Sequence, residues 1–401
     1  MRRHRSDRLI GVLTVFLMGL GLIVIYAIGP MRVNVLNSAY GTDYSEQYFF
    51  VHQAISVGLA LVAFIFAFKF PYEKIRKFAK WLVLIGLGLC AVMWILSWVH
   101  VSIVNCQLGA CRWFSFGSLS IQPAEVLKLG LVLYLAQLVA ARRQEGKLDT
   151  WNTDFWLPFG VICGLSLSFV VIAQKDLGTG VSMLAIILAI LFMSGVPMKK
   201  FLVVLGIVGV AGILAIVSSP HRLERLMTYG GDSDSDSSYH IENAMIAIGT
   251  GGMFGVGIGN SVQATGYLPE SINDSVFAVM GETFGFVGLM IIILCFMFLL
   301  LRLLKTASGL PMEESLVVIG VFAWVMAHMV VNIMAMTGLI PLTGITLPLL
   351  SYGGTSLVIM VASLGLCLQL SCYTGREVRN ENISSGRRLR GTHNPSRSRN
   401  S

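Results

Sequence analysis

The sequence predicts an all-α polytopic membrane protein with about ten transmembrane helices. Hydrophobic residues make up 55% of the chain and charged residues only 12%, which excludes an ordinary soluble enzyme. Apolar runs of about 20 residues, the length of a helix that crosses a bilayer, recur along the chain. The runs are unbroken, whereas a membrane strand needs about ten residues of alternating polarity. We place the spans at 9–29, 47–69, 81–101, 122–141, 155–174, 178–196, 201–218, 275–301, 315–338 and 355–372.

The basic residues predict the orientation, because Lys and Arg accumulate in cytoplasmic loops. With the N-terminus in the cytoplasm, the outer segments contain few basic residues, namely Arg32, Arg112, Lys175, Arg222 and Arg225. Both termini are then cytoplasmic, and the largest outer loop, residues 219–274, joins spans seven and eight. The net charge of +8 reflects this asymmetry rather than nucleic-acid binding. The chain divides into a cytoplasmic segment 1–8, a membrane domain 9–372 and a basic, disordered tail 373–401.

Two of the seven cysteines flank a short outer loop, Cys106 and Cys111. A disulfide forms between them if the exterior is oxidising, and two free thiols are the alternative. The remaining cysteines lie in or beside spans, where they are expected to be small hydrophobic residues.

The fourth span begins with a charged pair. Pro123 suits the first turn of a helix, and Glu125 and Lys128 then share one face at the spacing i,i+3. The pair is either a mutually neutralised structural contact or part of a polar cavity with Arg112 at its rim.

Two further places carry polar residues on the outer side. Asp176 follows the fifth span, where it either caps the sixth span or faces the same cavity. His328 and Asn332 lie in the ninth span, and we expect His328 to be a packing residue. The loop 338–354 after this span is apolar but interrupted by proline and glycine, so we expect it to dip back among the helices.

The stretch 249–286 organises the chain. Six glycines between Gly249 and Gly259 are too many for a stable helix, so an irregular segment that lines a cavity is expected there. Residues 239–248, just before it, are expected to form a short surface helix. Asp274 precedes the eighth span, where the helix dipole favours a carboxylate. Glu282 lies inside that span, where a carboxyl group is costly and therefore marks a candidate functional residue.

Several of these outer motifs, in this order, resemble those of the SEDS family (shape, elongation, division and sporulation). The resemblance covers roughly residues 8–375. It is carried by Arg112-Trp113, by Gln122-Pro123-Ala124-Glu125 with Lys128, by Gln174 to Thr179, by Tyr267 to Glu270 with Asn273-Asp274-Ser275, and by Gly338, Pro341, Thr343, Gly344, Pro348 and Ser351 to Gly354. Ala124 and Lys175 depart from the family pattern, which has Ser and Pro there.

The resemblance implies a peptidoglycan glycosyltransferase that polymerises lipid II at the outer face of the bacterial cytoplasmic membrane, in division or elongation. It implies a class B penicillin-binding protein and other division or elongation proteins as partners. The reaction needs a base at the acceptor hydroxyl, cations for the diphosphate leaving group and, as an option, a divalent cation such as Mg²⁺ or Mn²⁺. We take Asp274 as the candidate base, its alternative role being to stabilise the helix that follows. The candidate substrate-binding residues are Arg112, Gln122, Glu125, Lys128, Asp176, Gln263, Glu270, Glu282, Asn332 and Ser351.

Two other classes of function remain possible at this point. A lipid II flippase would also need many spans and ionisable residues inside the membrane. Against this, the ionisable residues cluster toward one face. A scaffold for division proteins would not need the carboxylates and cations that the outer motifs contain.

Overall fold

The computed structural model is an all-α membrane protein, as the sequence predicts, and it describes residues 6–99, 101, 103–107, 110–116, 119–218 and 236–373. Eight of the described helices are long and apolar enough to cross a membrane, and two shorter apolar helices accompany them. The helices are α1 (Arg8–Tyr40), α2 (Tyr48–Lys69), α3 (Tyr72–Trp98), α4 (Pro123–Gln144), α5 (Thr153–Leu167), α6 (Leu177–Met193), α7 (Met198–Val217), α8 (Asp236–Thr250), α9 (Val276–Ala307), α10 (Met312–Met336) and α11 (Thr355–Ser371). Helix α5 continues as a π-helix over Ser168–Ala173, so that its candidate span covers Thr153–Ala173, and the two shorter apolar helices are α6 and α11, with 17 residues each.

The first helix is longer than predicted. The expected outer loop 30–46 is helical as far as Tyr40, with Pro30 inside the helix. A proline removes one backbone hydrogen bond, and the residues that follow it still bury apolar side chains such as Val33. The helix ends at Gly41, whose left-handed backbone (φ 64°) lets its N–H bond the Asn37 carbonyl.

The outer loop 102–121 contains the only strands among the described residues, which the sequence analysis did not predict. Strands β1 (Val104–Gln107), β2 (Ala110–Phe116) and β3 (Leu119–Ile121) form an antiparallel sheet in that order. Cys106 and Cys111 pair across β1 and β2 and form a disulfide, which settles the alternative left open above.

The described part of the large outer loop contains α8, which agrees with the helix expected at 239–248. One face of this helix is buried through His240, Ala244 and Ala247, while Met245 and Ile246 are exposed, as in a helix that packs on the surface. The glycine-rich segment after α8 is irregular, as predicted. Residues 219–235, with Arg222 and Arg225, and the predicted disordered tail beyond Tyr373 lie outside the described residues.

Helices α4 and α10 occupy the centre of the protein. About two-thirds or more of the most apolar part of each is buried, whereas α7 is almost wholly exposed to its surroundings. The loop between α10 and α11 packs inward with Ile345, Leu347 and Leu350 buried, as predicted from its composition. The polar side chains of α4 and α10 therefore meet in the interior, close to this loop.

Candidate active site

The charged pair at the start of α4 forms as its spacing predicts. Lys128 Nζ lies 2.7 Å from Glu125 Oε1, and the two side chains are 0% and 2% exposed. Lys128 Nζ also lies 3.2 Å from His328 Nε2 and 4.6 Å from the centre of the Trp324 ring. A buried ammonium group needs such compensation, and α10 supplies two of its three partners. Glu125 Oε2 is buried and accepts no hydrogen bond from the described residues.

His328 is buried, as expected for a packing residue, but its ring is also part of a polar network. Its Nδ1 lies 3.3 Å from the Thr346 carbonyl oxygen, while its Nε2 faces Lys128. The imidazole therefore links the charged pair to the inward-packed loop between α10 and α11.

Asp176 takes the capping role, one of the two that the sequence left open, and also contacts Gln122 and Arg112. It caps α6 by accepting from the Thr179 N–H at 3.0 Å and from the Thr179 hydroxyl at 2.8 Å. It also accepts from Gln122 Nε2 at 3.3 Å and lies 3.8 Å from Arg112 Nε. The β2 strand carries Arg112, whose Nη2 donates to the Lys175 carbonyl oxygen at 3.0 Å. The sheet thus positions a guanidinium group over the N-terminus of α6.

Asp274 lies in the turn before α9 and does not hold the capping position, which belongs to Ser275. Its Oδ1 is buried and receives no hydrogen bond from any described group. Burial, followed by the negative charge of Glu270, raises the pKa of Asp274 to about 7. This carboxyl group therefore exchanges its proton near neutral pH.

One loop segment joins these groups. Asn332 Nδ2 donates to the Asp274 carbonyl oxygen at 2.6 Å and to the Ile345 carbonyl oxygen at 2.7 Å. A Cβ on Gly344 would lie 4.0 Å from Asp274 Oδ2, and one on Gly178 would lie 2.8 Å from the Thr343 carbonyl oxygen. Residues 343–346 thus lie between Asp274, the N-terminus of α6 and His328, so these three polar groups surround the same loop segment.

The remaining predicted residues have contacts of other kinds. Glu270 lies 3.4 Å from Arg32 and accepts from the Asn273 amide. The Ser351 hydroxyl accepts from the Leu347 N–H at 2.8 Å, so it stabilises the loop. Gln263 is buried, and its Oε1 finds no donor in the described chain.

Glu282 was predicted to bind substrate, and in the structure its carboxylate is hydrogen-bonded to the protein itself. It is 1% exposed and both its oxygens accept from the segment Ser261–Gln263. A carboxylate inside a membrane helix must be neutralised or hydrogen-bonded, and here the protein itself provides the donors.

One residue beside the site was missed. Gln53, in the middle of α2, donates to the Ser351 carbonyl oxygen at 3.3 Å, and a polar residue inside an apolar run is a signal that was available. Lys175, Glu270 and Leu349, the non-glycine residues with positive φ among those described, all flank the site. Such backbone strain clusters at functional sites, but no local sequence pattern announced it at these positions.

The chain resembles known proteins over nearly its whole length. It is 33% identical over 380 residues to stage V sporulation protein E of Bacillus subtilis, with 93% of this chain and 99% of that protein covered. It is 32% identical over 370 residues to the probable peptidoglycan glycosyltransferase FtsW of Nitrosomonas europaea, with 91% and 92% covered.

Two solved structures share the fold. A chain from a structure described as structural coordination of polymerization and crosslinking by a peptidoglycan synthase complex matches with a TM-score of 0.70 and 25% identity, over 91% of this chain and 97% of that one. The rod shape determining protein RodA of Thermus thermophilus matches with a TM-score of 0.63 and 25% identity, over 92% and 98%. The model of the FtsW, RodA and SpoVE family, described as cell cycle protein, matches residues 7–376, and the chain therefore belongs to this family.

Proposed function

We propose that this protein is a peptidoglycan glycosyltransferase that polymerises lipid II at the outer face of the bacterial cytoplasmic membrane, with Asp274 as the general base. The observation that carries the proposal is the carboxyl group of Asp274, whose buried Oδ1 makes no hydrogen bond within the described chain and whose pKa is raised to about 7. A general base works best when its pKa lies near the operating pH. Family relatives named as peptidoglycan glycosyltransferases support the reaction class.

In the proposed reaction, the acceptor sugar's hydroxyl oxygen attacks the anomeric carbon of the donor. The bond from that carbon to the diphosphate oxygen breaks with its electron pair, and the polyprenyl diphosphate leaves. Asp274 Oδ1 takes the hydroxyl proton as the new glycosidic bond forms, and displacement from the opposite side inverts the anomeric configuration. Burial around Asp274 favours proton transfer over competition by water.

The leaving diphosphate needs positive charge. Arg112 is our candidate on the rim, because its side chain is 24% exposed and its ion pair with Asp176 is long at 3.8 Å. Lys128 is fully buried and paired with Glu125, so its role would be to adjust the electrostatic potential of the site from the protein interior.

A divalent cation, Mg²⁺ or Mn²⁺, is proposed to share this task. Within the described ranges, no group of three or more His, Cys, Asp or Glu residues is arranged to hold a metal ion. Mg²⁺ commonly binds through one or two carboxylates together with substrate phosphates and water, which fits an ion that arrives with the diphosphate. Glu125 Oε2, buried and without a donor among the described residues, is the oxygen proposed to bind such an ion, which would supply charge neutralisation.

We further propose that the protein works with a class B penicillin-binding protein, which supplies the transpeptidase, and with other division or elongation proteins. The support is the structural neighbour, whose description couples polymerization to crosslinking in one complex.

The proposal is tested by substituting the base. Asp274→Asn retains the shape of the side chain but cannot accept the proton, so we expect loss of glycan polymerisation from purified lipid II, with and without the partner. Asp274→Ala should behave alike. Asp43→Asn, at an exposed carboxylate of the outer loop after α1, is the matched control and should retain activity. Glycan chains of normal yield from Asp274→Asn would remove the assignment.

The flippase alternative is tested by accessibility. The buried charged pair Glu125 and Lys128 lies in the first two turns of α4, near its outer end, whereas the buried Lys200 lies at the cytoplasmic start of α7, away from the site. A transporter would need polar sites accessible alternately from both sides. In a background without native cysteines, Gln122→Cys and Asp274→Cys should react with an impermeant thiol reagent added outside. Leu138→Cys and Met297→Cys should not react from the cytoplasmic side, and substrate-dependent labelling there would favour transport.

A further inference from the structure

Helix α9 is broken at Gly285, and the glycine-rich segment fills the break. Gly285 has φ 68° and ψ −171°, which no helix accommodates. The carbonyl oxygens of Glu282 and Thr283 accept from the N–H groups of Val256 and Gly257 at 2.9 and 3.1 Å. Beyond the break, the N–H groups of Phe286 and Val287 donate to the Gly252 and Met253 carbonyl oxygens at 2.8 and 3.1 Å. Backbone groups released from the helix are thus satisfied within the protein.

The close approach needs glycine. A Cβ on Gly251 would lie 2.0 Å from the Gly281 carbonyl oxygen, and one on Gly255 would lie 2.2 Å from the Thr283 carbonyl oxygen. Gly255 also has φ 81°, which side chains rarely tolerate. The glycines that excluded a helix in this stretch are therefore those that let it dock against α9.

Glu282 extends the contact with its side chain. Its carboxylate accepts from the Val262 N–H at 2.9 Å, from the Gln263 N–H at 3.3 Å and from the Ser261 hydroxyl at 2.5 Å. The same hydroxyl accepts from the Ala264 N–H at 3.1 Å. One buried carboxylate therefore fixes the backbone direction of four consecutive residues, 261–264.

From these residues the chain reaches Asp274 along a well-packed path. The Leu268 N–H donates to the Gln263 carbonyl oxygen at 2.9 Å, and Leu268 and Ile272 are buried. The Ser275 hydroxyl then donates to the Pro269 carbonyl oxygen at 2.9 Å. A shift of residues 261–264 would be passed along this path to the turn that carries Asp274.

We propose that Glu282 is a positioning residue: it anchors the segment 261–275 to α9 and thereby holds Asp274 in its reactive place. The effect on catalysis rests on the proposed function, in which Asp274 is the base. The anchoring itself is a structural claim and can be tested without any activity. Small misplacements of reacting groups can cost about 100-fold in rate, so the proposed effect is large enough to measure.

The first test is hydrogen–deuterium exchange on the full-length protein, with Glu282→Gln compared with the wild type. Glutamine is nearly isosteric but directs an NH₂ group at donors, so faster exchange is expected in peptides covering 261–275. Peptides from α4, which does not depend on the anchor, serve as the internal reference. Unchanged exchange at 261–275 would overturn the proposal, whatever the activity of Asp274 variants.

The second test is a double-mutant cycle with Ser261→Ala, a milder change that removes one donor to Glu282. If the two residues act through the same contact, the double variant should lose little more polymerisation activity than Glu282→Gln alone. The loss should fall on kcat, by up to about 100-fold, with KM preserved. A rise in KM, additive with the effect of Ser261→Ala, would mean that Glu282 contacts the substrate and would refute the positioning role.

A third readout separates positioning from general destabilisation. If residues 261–275 loosen, water reaches Asp274, and the acid limb of the pH–rate profile should move to lower pH. An unshifted acid limb together with faster exchange would show that loosening residues 261–275 does not affect Asp274, which also overturns the proposal. Wild-type activity of Asp274→Asn would refute the assignment of Asp274 as the general base. The hydrogen–deuterium exchange result would still test whether Glu282 anchors residues 261–275.

Discussion

The buried pair of Glu125 and Lys128 should be strongly coupled. We consider Glu125→Gln, Lys128→Met and the double variant, because these changes retain the approximate side-chain volumes while removing one charge or both. The pair is 2.7 Å apart and almost fully buried, so each single change leaves the other charge in a medium that solvates it poorly.

The surroundings indicate how large each loss will be. Removing one member of a buried pair costs about 3–5 kcal/mol in free energy of unfolding. Glu125→Gln should fall near the lower end, because Lys128 keeps His328 and the Trp324 ring as partners. Lys128→Met should fall near the upper end, because Glu125 Oε2 already lacks a donor in the described structure. The double variant removes both charges and should approach wild-type stability, so the coupling energy should be at least about 3 kcal/mol.

The measurement is unfolding of the purified protein by denaturing detergent in mixed micelles. Arg142 and Glu145 provide a matched control at the other end of α4, with the same i,i+3 spacing and the same 2.7 Å distance. Their side chains are 28% and 45% exposed, so their coupling should be only about 0–1 kcal/mol. Additive losses at Glu125 and Lys128, as small as those of the control pair, would refute the reasoning from burial.

Three further outcomes are expected. Because the folded-state pKa of Asp274 is about 7 against a usual 3.8, its neutral form contributes stability that is complete below about pH 4 and lost as pH rises through 7. Asp274→Asn should therefore exceed the wild type in stability at pH 8 but not at pH 4, as chemical unfolding at the two pH values will show. Gly255→Ala should destabilise the protein by more than about 1 kcal/mol, since its Cβ meets a carbonyl of α9, whereas Gly249→Ala meets nothing within 4 Å and should be near neutral by the same assay. Replacing Cys106 and Cys111 by serine opens a short loop and should cost about 2 kcal/mol, and an unchanged unfolding midpoint would contradict this.

The membrane helices could be predicted because the length and hydrophobicity of each apolar run indicate by themselves that the segment lies in a membrane. The ends were less certain, as α1 shows: the predicted span ends at residue 29, but buried side chains beyond Pro30 keep the helix intact to Tyr40. The small sheet was missed because its strands are only four, seven and three residues long. They are held together by antiparallel pairing and a disulfide rather than by an alternating pattern.

Contacts between residues close in sequence were predicted better than distant ones. The Glu125–Lys128 pair and the capping role of Asp176 follow from spacings of three residues along one helix turn. The approach of Arg112 to Asp176 depends on how the sheet folds over α6, and the link from Asn332 to Asp274 spans 58 residues. Neither of these distant contacts has a local signal.

The carboxylates show why a buried charge alone does not reveal its role. In the sequence, Glu125, Asp274 and Glu282 share one property, which is a cost of burial that some partner must offset. The structure separates them by what their oxygens contact. Both oxygens of Glu282 are taken by residues 261–263. Asp274 Oδ1 and Glu125 Oε2 are buried and have no donor in the described chain. An oxygen that the protein leaves open can accept a proton or a ligand, whereas one that is already saturated stabilises its own surroundings. This distinction makes Asp274 the proposed base and Glu282 the residue proposed to hold it.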